Sequence, residues 1–311
     1  MEPTAEAEQE LLARRFEAER GRLRALAHRM LGSRSEADDA VQETWLRLGR
    51  VDARDVENLA GWLTTVVSRI CLDMLRSRAS RREEPVAQEE LAERAEDRRG
   101  RDAGAVAEAG GADHPEEEIL LADSVGRALL VVLDTLAPAE RVAFVLHDMF
   151  AVPFDRIAPV LERSPGTTKK LASRARGKLR GRPAVAGPEL ARQRRVVDAF
   201  LAASRAGDLD ALLALLAPDV ARSADPAALP AGAPTRVRGA DRVARETVGF
   251  GTRSRYAEPA LVDGAVGVVV APRGRLTLAL TVTVADGRIT AYDVVADPAR
   301  LSRLDLAVLD D

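Results

Sequence analysis

The stretch Arg163–Arg182 reads RSPGTTKKLASRARGKLRGR. It holds eight basic residues and no acidic one, and the chain's only three lysines (Lys169, Lys170 and Lys178) all fall inside it. Ser164 followed by Pro165 predicts a helix start. A serine hydroxyl accepts from the free N–H groups of a first turn, and proline lacks the N–H that this turn leaves unused. From there Thr167, Leu171, Ala175 and Leu179 recur every four residues and predict one narrow face of small and apolar groups. Upstream, Val152–Leu161 predicts a short helix and Glu162–Arg163 a tight break. Helix, turn and capped basic helix make a helix-turn-helix, whose second helix suits the DNA major groove. The alternative is a solvated basic helix on an ordinary bundle, which usually carries balancing acids one turn away. Here the sequence offers none, and a local charge of +8 favours neutralising phosphates.

Working outward, the 311 residues suggest two or three domains, and with 3% aromatic content the core falls to Leu, Val and Ala. The formal net charge of −3 hides a strong division along the chain. A single cysteine, Cys71 between Ile70 and Leu72, rules out an intramolecular disulfide or a thiolate zinc cluster and reads as a small core residue. The acidic start MEPTAEAEQE carries no apolar run, so no signal peptide is expected. No apolar stretch approaches the roughly 20 residues of a membrane span. The expectation is a cytoplasmic protein with no membrane contact.

Leu11–Leu48 is helical in pattern and broken at Gly32, with Ser35 read as the start of a second helix and Asp38 completing a capping-box spacing. That second helix carries Glu36, Asp38, Asp39 and Glu43 beside Val41, Trp45, Leu46 and Leu48, and its acids alone fit an ordinary solvated face. A third helix runs from about Leu59 to Arg82, with Trp62, Leu63, Val66, Val67, Ile70 and Leu75 able to pack inward and arginines at 69, 76, 78, 81 and 82. Glu83–Glu118 holds 13 acids against 4 arginines and reads as an acidic linker. Ile119–Leu136 resumes a helical period, and Pro138 opens a helix through Phe150. With the helix-turn-helix these complete a four-helix module ending near Arg182, where RPAVAGP marks a boundary. Beyond it, Glu189–Arg205 is helical up to Gly207, and Asp208 caps a helix stopped by Pro218. After Tyr256 the period becomes two. Leu276, Leu278, Leu280, Val282 and Val284 face one way, Asp286–Gly287 marks a hairpin turn into Arg288–Val295, and a second Asp-Gly turn, Asp263–Gly264, precedes a Val266–Val270 strand. Helices followed by a curled antiparallel sheet predict an α+β third domain.

Three segments in order, RLRALAHRMLGSRSEADDAVQETWLRL (22–48), AGWLTTVVSRICLDMLRSRASRRE (60–83) and LAPAERVAFVLHDMFAVPFDRIAPVLERSPGTTKKLASRARGKLR (136–180), resemble regions 2 and 4 of extracytoplasmic-function sigma factors. Residues 188–301 resemble the SnoaL-like, nuclear-transport-factor-like cone fused to one subgroup of them, through 189–220, VRGADRVAR (237–245) and DVVADPARL (293–301). The last differs from the Asn-Pro-Asp-Lys-Leu type ending of relatives. The resemblance implies two all-α sigma modules, at 8–83 (region 2) and 119–182 (region 4), an acidic linker at 84–118, an α+β SnoaL-like domain at 188–301, and a tail at 302–311. It implies a sigma factor that binds core RNA polymerase through the clamp of the largest subunit and the flap, and directs initiation at promoter DNA. Asp38, Asp39, Gln42, Glu43 and Trp45 would dock on the clamp. Trp62, Arg69, Arg76, Arg78 and Arg81 would face the −10 element, where an unstacked base must find replacement contacts. Thr167, Thr168, Lys169, Lys170, Ser173, Arg174, Arg176 and Lys178 would meet the −35 duplex, with the two adjacent lysines on base edges and Arg174, Arg176 and Lys178 on backbone.

SnoaL-like cones include enzymes that use a pocket carboxylate, and Asp219, Tyr256, Asp263, Tyr292 and Asp293 are the candidates here. No paired carboxylates, metal-ligand spacing or nucleophile elbow accompany them, so no cofactor, no metal and no enzyme are expected. A regulatory third domain, packing on the sigma modules or sensing a small apolar ligand, is the reading. The runner-up for the whole chain is a stand-alone DNA-binding regulator with a ligand-sensing third domain.

Overall fold

The computed structural model describes residues 5–51, 58–83, 124–249, 254–272 and 275–309; the expected acidic linker lies outside them. Helices α1 (Ala5–Leu31), α2 (Arg34–Leu48) and α3 (Leu59–Glu83) pack around Leu23, Leu26, Met30, Leu48, Leu63 and Leu72, each at most 2% exposed. Each such leucine contributes about 1.5–3 kcal/mol of transfer free energy. Gly32 takes a left-handed φ of 73° at the α1–α2 break. The cap of α2 is Ser33 rather than Ser35: its hydroxyl accepts from Glu36 N, which places the helix start one residue later at Arg34.

The next module is α4 (Ser124–Leu133), α5 (Pro138–Phe144) with a π-helical continuation over Val145–Met149, α6 (Phe154–Leu161) and α7 (Pro165–Arg180). Between α6 and α7, Glu162 adopts φ 55°, so the tight break predicted from the sequence is a left-handed residue. The third domain opens with α8 (Gly187–Ala206) and α9 (Leu209–Leu215), capped by Gly207 in left-handed geometry and by the Asp208 carboxylate on Ala211 N. Pro218 does not stop α9. The chain passes directly from Leu215 into β1 (Leu216–Ala224), and Pro218 lies within that strand. Then come β2 (Arg236–Arg238), α10 (Ala240–Gly249), β3 (Ala257–Val262), β4 (Ala265–Val270), β5 (Leu278–Ala285), β6 (Arg288–Val295), α11 (Pro298–Leu301) and β7 (Leu306–Ala307).

The sheet order is β2-β1-β6-β5-β4-β3-β7. It is mixed rather than wholly antiparallel, because β1 pairs parallel with β6. A strand that precedes the hairpins by a whole helix can only be oriented by the fold, so its direction was not legible locally. Both Asp-Gly turns are as predicted, with positive φ at Asp263, Gly264, Asp286 and Gly287. Residues 302–311, expected as a tail, include β7, which completes the sheet beside β3.

Inner faces of β3, β4 and β5 close on α8, α9 and α10 around Phe200, Leu212, Val220, Val243, Val266 and Ile289. Outer-face residues Ala260, Val262, Val269 and Ala271, with Leu306 of β7, join the other core, which runs continuously through both helical modules. The three modules therefore meet in one continuous hydrophobic core. Leu276, expected on the same face as Leu278, packs on that other core instead, because β5 begins only at Leu278.

Candidate nucleic-acid interface

Helix α7 begins as its sequence predicts: Ser164 Oγ accepts from Thr167 N at 3.2 Å, and Pro165 occupies the first turn. Its buried stripe is Thr168, Ala172, Ala175 and Leu179, with Leu171 partly buried, so Thr167 belongs to the outer face. Thr168 is fully buried and its hydroxyl donates to Ser164 O at 3.0 Å, which removes it from the surface predicted to meet DNA. Thr167, Lys169, Lys170, Ser173 and Arg174 are all exposed and fall on the N-terminal half of the helix.

Two of the eight cations are held in ion pairs. Arg176 pairs with Asp148 at 2.7 Å, and Lys178 reaches Glu140 Oε2 at 2.7 Å, where the carboxylate is 8% exposed. Both acids come from α5 and its π-helical extension, at sequence separations of 28 and 38. Local sequence showed no balancing acid; the fold supplied two.

On α3, Trp62 is partly buried against the core. The Arg69 guanidinium donates to Pro159 O of α6 at 3.1 Å, joining this helix to the helix-turn-helix. Arg78 is spent inside its own module, pairing with Glu36 and donating to Leu31 O at 3.0 Å. Arg76 lies 3.8 Å from Asp73, and Arg81 turns back on Ser77 O at 3.2 Å; both stay on the surface. Arg76 and Arg81 thus keep an outward cation, whereas Arg78 braces α2 against α3.

On α2, Asp38 pairs with Arg24 at 2.7 Å and Glu43 with Arg47 at 3.0 Å, while Trp45 tilts against Phe16 with ring centroids 4.9 Å apart. Trp45 is therefore partly a packing residue. Asp39 and Gln42 are exposed, and one turn further Leu46 is 49% exposed. Leu46 was missed by the sequence reading. The signal for it is its spacing of four and seven from Gln42 and Asp39, which continues their face.

Two groups have shifted proton affinities with structural causes. Burial lowers the His28 pKa below the ordinary histidine value, helped by the nearby charges of Arg34, Arg29, Arg24 and Arg141. Burial pushes the Cys71 thiol up to about 12, consistent with a core residue and not a reactive one. Arg141, from α5, is itself buried between the helical modules, pairing with Asp134 and donating to Arg29 O. Its Nε has no partner among the described residues.

The third domain meets the helix-turn-helix module directly. The carboxylate of Glu258 on β3, 4% exposed, holds Arg127 of α4 at 2.5 Å. Val308 N donates to Leu179 O at 2.8 Å, tying the C-terminal end of α7 to the sheet edge. Gly181, with φ 59°, lies so close to Ala307 that a Cβ there would overlap it. Of the carboxylate and phenol candidates for catalysis, only Tyr292 lines the cavity of this domain. Asp293 accepts from Ser223 and Arg300, and Asp263 sits in its turn accepting from Asp305 N. Among the described residues no helix is long and apolar enough to cross a membrane, and no cluster of His, Cys, Asp and Glu is arranged to hold a metal ion.

Comparison with known proteins supplies the remaining evidence. The model of Sigma-70 region 2 matches residues 15–81, and that of Sigma-70, region 4, matches residues 126–179. The chain is 37% identical over 310 residues to the ECF RNA polymerase sigma factor SigJ of Mycobacterium tuberculosis, covering 92% of each. It is 36% identical over 295 residues to the Probable ECF RNA polymerase sigma factor SigI of the same organism, covering 93% of this chain and 94% of that one. The crystal structure of M. tuberculosis SigJ aligns at 32% identity and a TM-score of 0.42, over 93% of this chain and 98% of that one.

Proposed function

Because this chain belongs to the extracytoplasmic-function group of RNA polymerase sigma factors, we propose a division of its work among residues 8–83, 119–182 and 188–301. Proteins of this family bind core RNA polymerase and promoter DNA, and direct promoter-specific initiation. In our reading, α7 reads the −35 duplex with Thr167, Lys169, Lys170 and Ser173 on base edges and Arg174 on phosphate. The observation that carries this is the exposed cation set Lys169, Lys170 and Arg174, which faces outward at the start of a capped helix. Arg176 and Lys178 would reach phosphate only by leaving Asp148 and Glu140, and we assign them a secondary part.

Asp38, Asp39, Gln42 and Glu43, joined by Leu46, form the surface we assign to the polymerase clamp, with Trp45 holding α2 in place against Phe16. Arg76 and Arg81, with Trp62 and Arg69, are assigned to the −10 strand, and Arg78 to bracing the helix that presents them. The third domain is read as regulatory rather than catalytic, since four of its five candidate acid–base residues lie away from the cavity and the one carboxylate that lines it, Glu246, is held by Arg222.

The compact arrangement is read as closed. The −10 and −35 elements lie about 25 base pairs apart, on the order of 85 Å along a duplex, whereas here α3 and α6 are hydrogen-bonded through Arg69. Engaging both elements requires the helical modules to part, and the third domain, docked on α4 and α7, is read as keeping region 4 in the closed arrangement. Pull-down of bacterial core polymerase followed by run-off transcription on the protein's own upstream DNA tests the reading. Core capture with specific transcripts is expected. Duplex DNA binding without core capture would replace it with a stand-alone regulator.

A further inference from the structure

The third domain holds a partly open cavity of about 110 Å³ between the inner face of the sheet and helices α8 and α10. Phe200, Leu201, Val268, Val270, Leu278 and Leu280 supply most of its wall. Among the described residues its polar lining is Ser204, Arg222, Glu246, Thr247, Ser254 and Tyr292. An apolar cavity of about 150 Å³ stays dry and takes up benzene or xenon, so this one suits a molecule of benzene size or slightly smaller.

The hydrogen bonds at the polar end restrict what that molecule carries. Arg222, 4% exposed, is neutralised by Glu246 and donates to Pro234 O at 2.9 Å, so no net charge is offered to an ion. Ser204 gives its proton to Phe200 O at 2.7 Å. Thr247 gives its only hydroxyl proton to Val243 O at 2.8 Å. In the Thr247–Tyr292 pair, at 3.1 Å, the donor is therefore Tyr292. That leaves the phenolic oxygen with a lone pair available and no proton left to give. Burial also raises the Tyr292 pKa, which keeps the phenol protonated.

The same strands have a second side. Ala257, Val268 and Val270 face the cavity, while Glu258, Ala260, Val262 and Val269 alternate with them and face the helix-turn-helix module. We propose that this cavity binds a small neutral apolar molecule with one hydrogen-bond donor, a phenol or short alcohol in chemical class, accepted by the Tyr292 oxygen, and that β3 and β4 transmit its occupancy to region 4. The transmission rests on the sigma-factor reading; the binding does not. A filled cavity supports β3 and β4 in the arrangement on which α4 and α7 dock. By linkage, occupancy strengthens the closed state to the same extent that closure strengthens binding.

The test uses the full chain with phenol and benzene as probes. Thermal unfolding and direct titration should show both binding, with phenol the tighter. Tyr292→Phe should weaken phenol by about fivefold and leave benzene unchanged. Val268→Phe, which fills the space, should abolish both, and if that variant fails to fold, Tyr292→Phe decides alone. Absence of a phenol response in the wild-type chain, or an equal loss of both probes in Tyr292→Phe, overturns the site. Run-off transcription with saturating phenol should fall in the wild-type chain and stay level in Arg127→Ala, which still binds phenol. An unchanged or raised wild-type output overturns the transmission. Failure of core capture without phenol instead removes the sigma-factor reading and leaves the binding result standing.

Discussion

Lys169 and Lys170 stand at the surface of α7 with no fold-bracing duty, whereas Thr168 between them and Thr167 is buried. The double change Lys169→Ala with Lys170→Ala should therefore weaken promoter-dependent transcription while capture of core polymerase survives; equal loss of both would refute the assignment. Arg174→Ala should lower affinity evenly across sequences and reduce the dependence of log K on log salt by about 1, read by titration at several salt concentrations. Asp38→Arg with Asp39→Arg should abolish core capture, and unchanged affinity in a pull-down would remove the clamp assignment. His28 adds a pH dependence. Its folded pKa lies below that of the unfolded chain, so the unfolded state takes up a proton first as pH falls. This histidine's stabilising effect is complete above the unfolded value near 6.5 and declines below it. Urea midpoints at pH 7.5 and 5.5 should separate more for the wild-type chain than for His28→Gln.

Among elements, α7 illustrates how a helix serves two masters. Its outer half is set by charge and its inner stripe by Ala172, Ala175 and Leu179, the two alanines being small enough to let α5 and α6 approach. Leu179→Ala should cost about 2–4 kcal/mol by denaturant unfolding, as a buried leucine does when its cavity only partly relaxes. Ser164→Ala should cost about 1 kcal/mol, since it leaves Thr167 N without its cap acceptor. The β3–β4 hairpin likewise has two faces, one lining a cavity and one forming a docking surface. The sequence announced the Asp263–Gly264 turn and the strand that follows it, and nothing local said that both faces of the hairpin would be buried.

Beside the shared hydrophobic core, polar contacts brace the modules against one another: Arg69 to Pro159, Arg141 to Arg29, Arg127 to Glu258, and Val308 to Leu179. Arg127→Ala leaves the Glu258 carboxylate buried and unpaired, a change that costs about 3–5 kcal/mol when nothing relaxes. We expect a lower melting midpoint together with higher run-off output, because docking is weakened more than either module. Adding Glu258→Gln should restore much of the midpoint; a midpoint unaffected by either change would show that the pair does not hold the domains together.

The residues themselves determined the helix-turn-helix, its serine cap, both Asp-Gly turns and the order of helical modules before α+β domain. These depend on capping, period and turn chemistry within a few residues. The general face of α7 was legible for the same reason, although the precise stripe shifted by one residue at Thr168 and at Ala172. Tertiary structure alone decided that Asp148 and Glu140 neutralise Arg176 and Lys178, that Arg78 turns inward, and that β1 runs parallel to β6. It also made Leu306–Ala307 a strand instead of a tail. Each of these joins residues far apart in the chain, where loop closure and shared burial choose the partner and no local pattern names it.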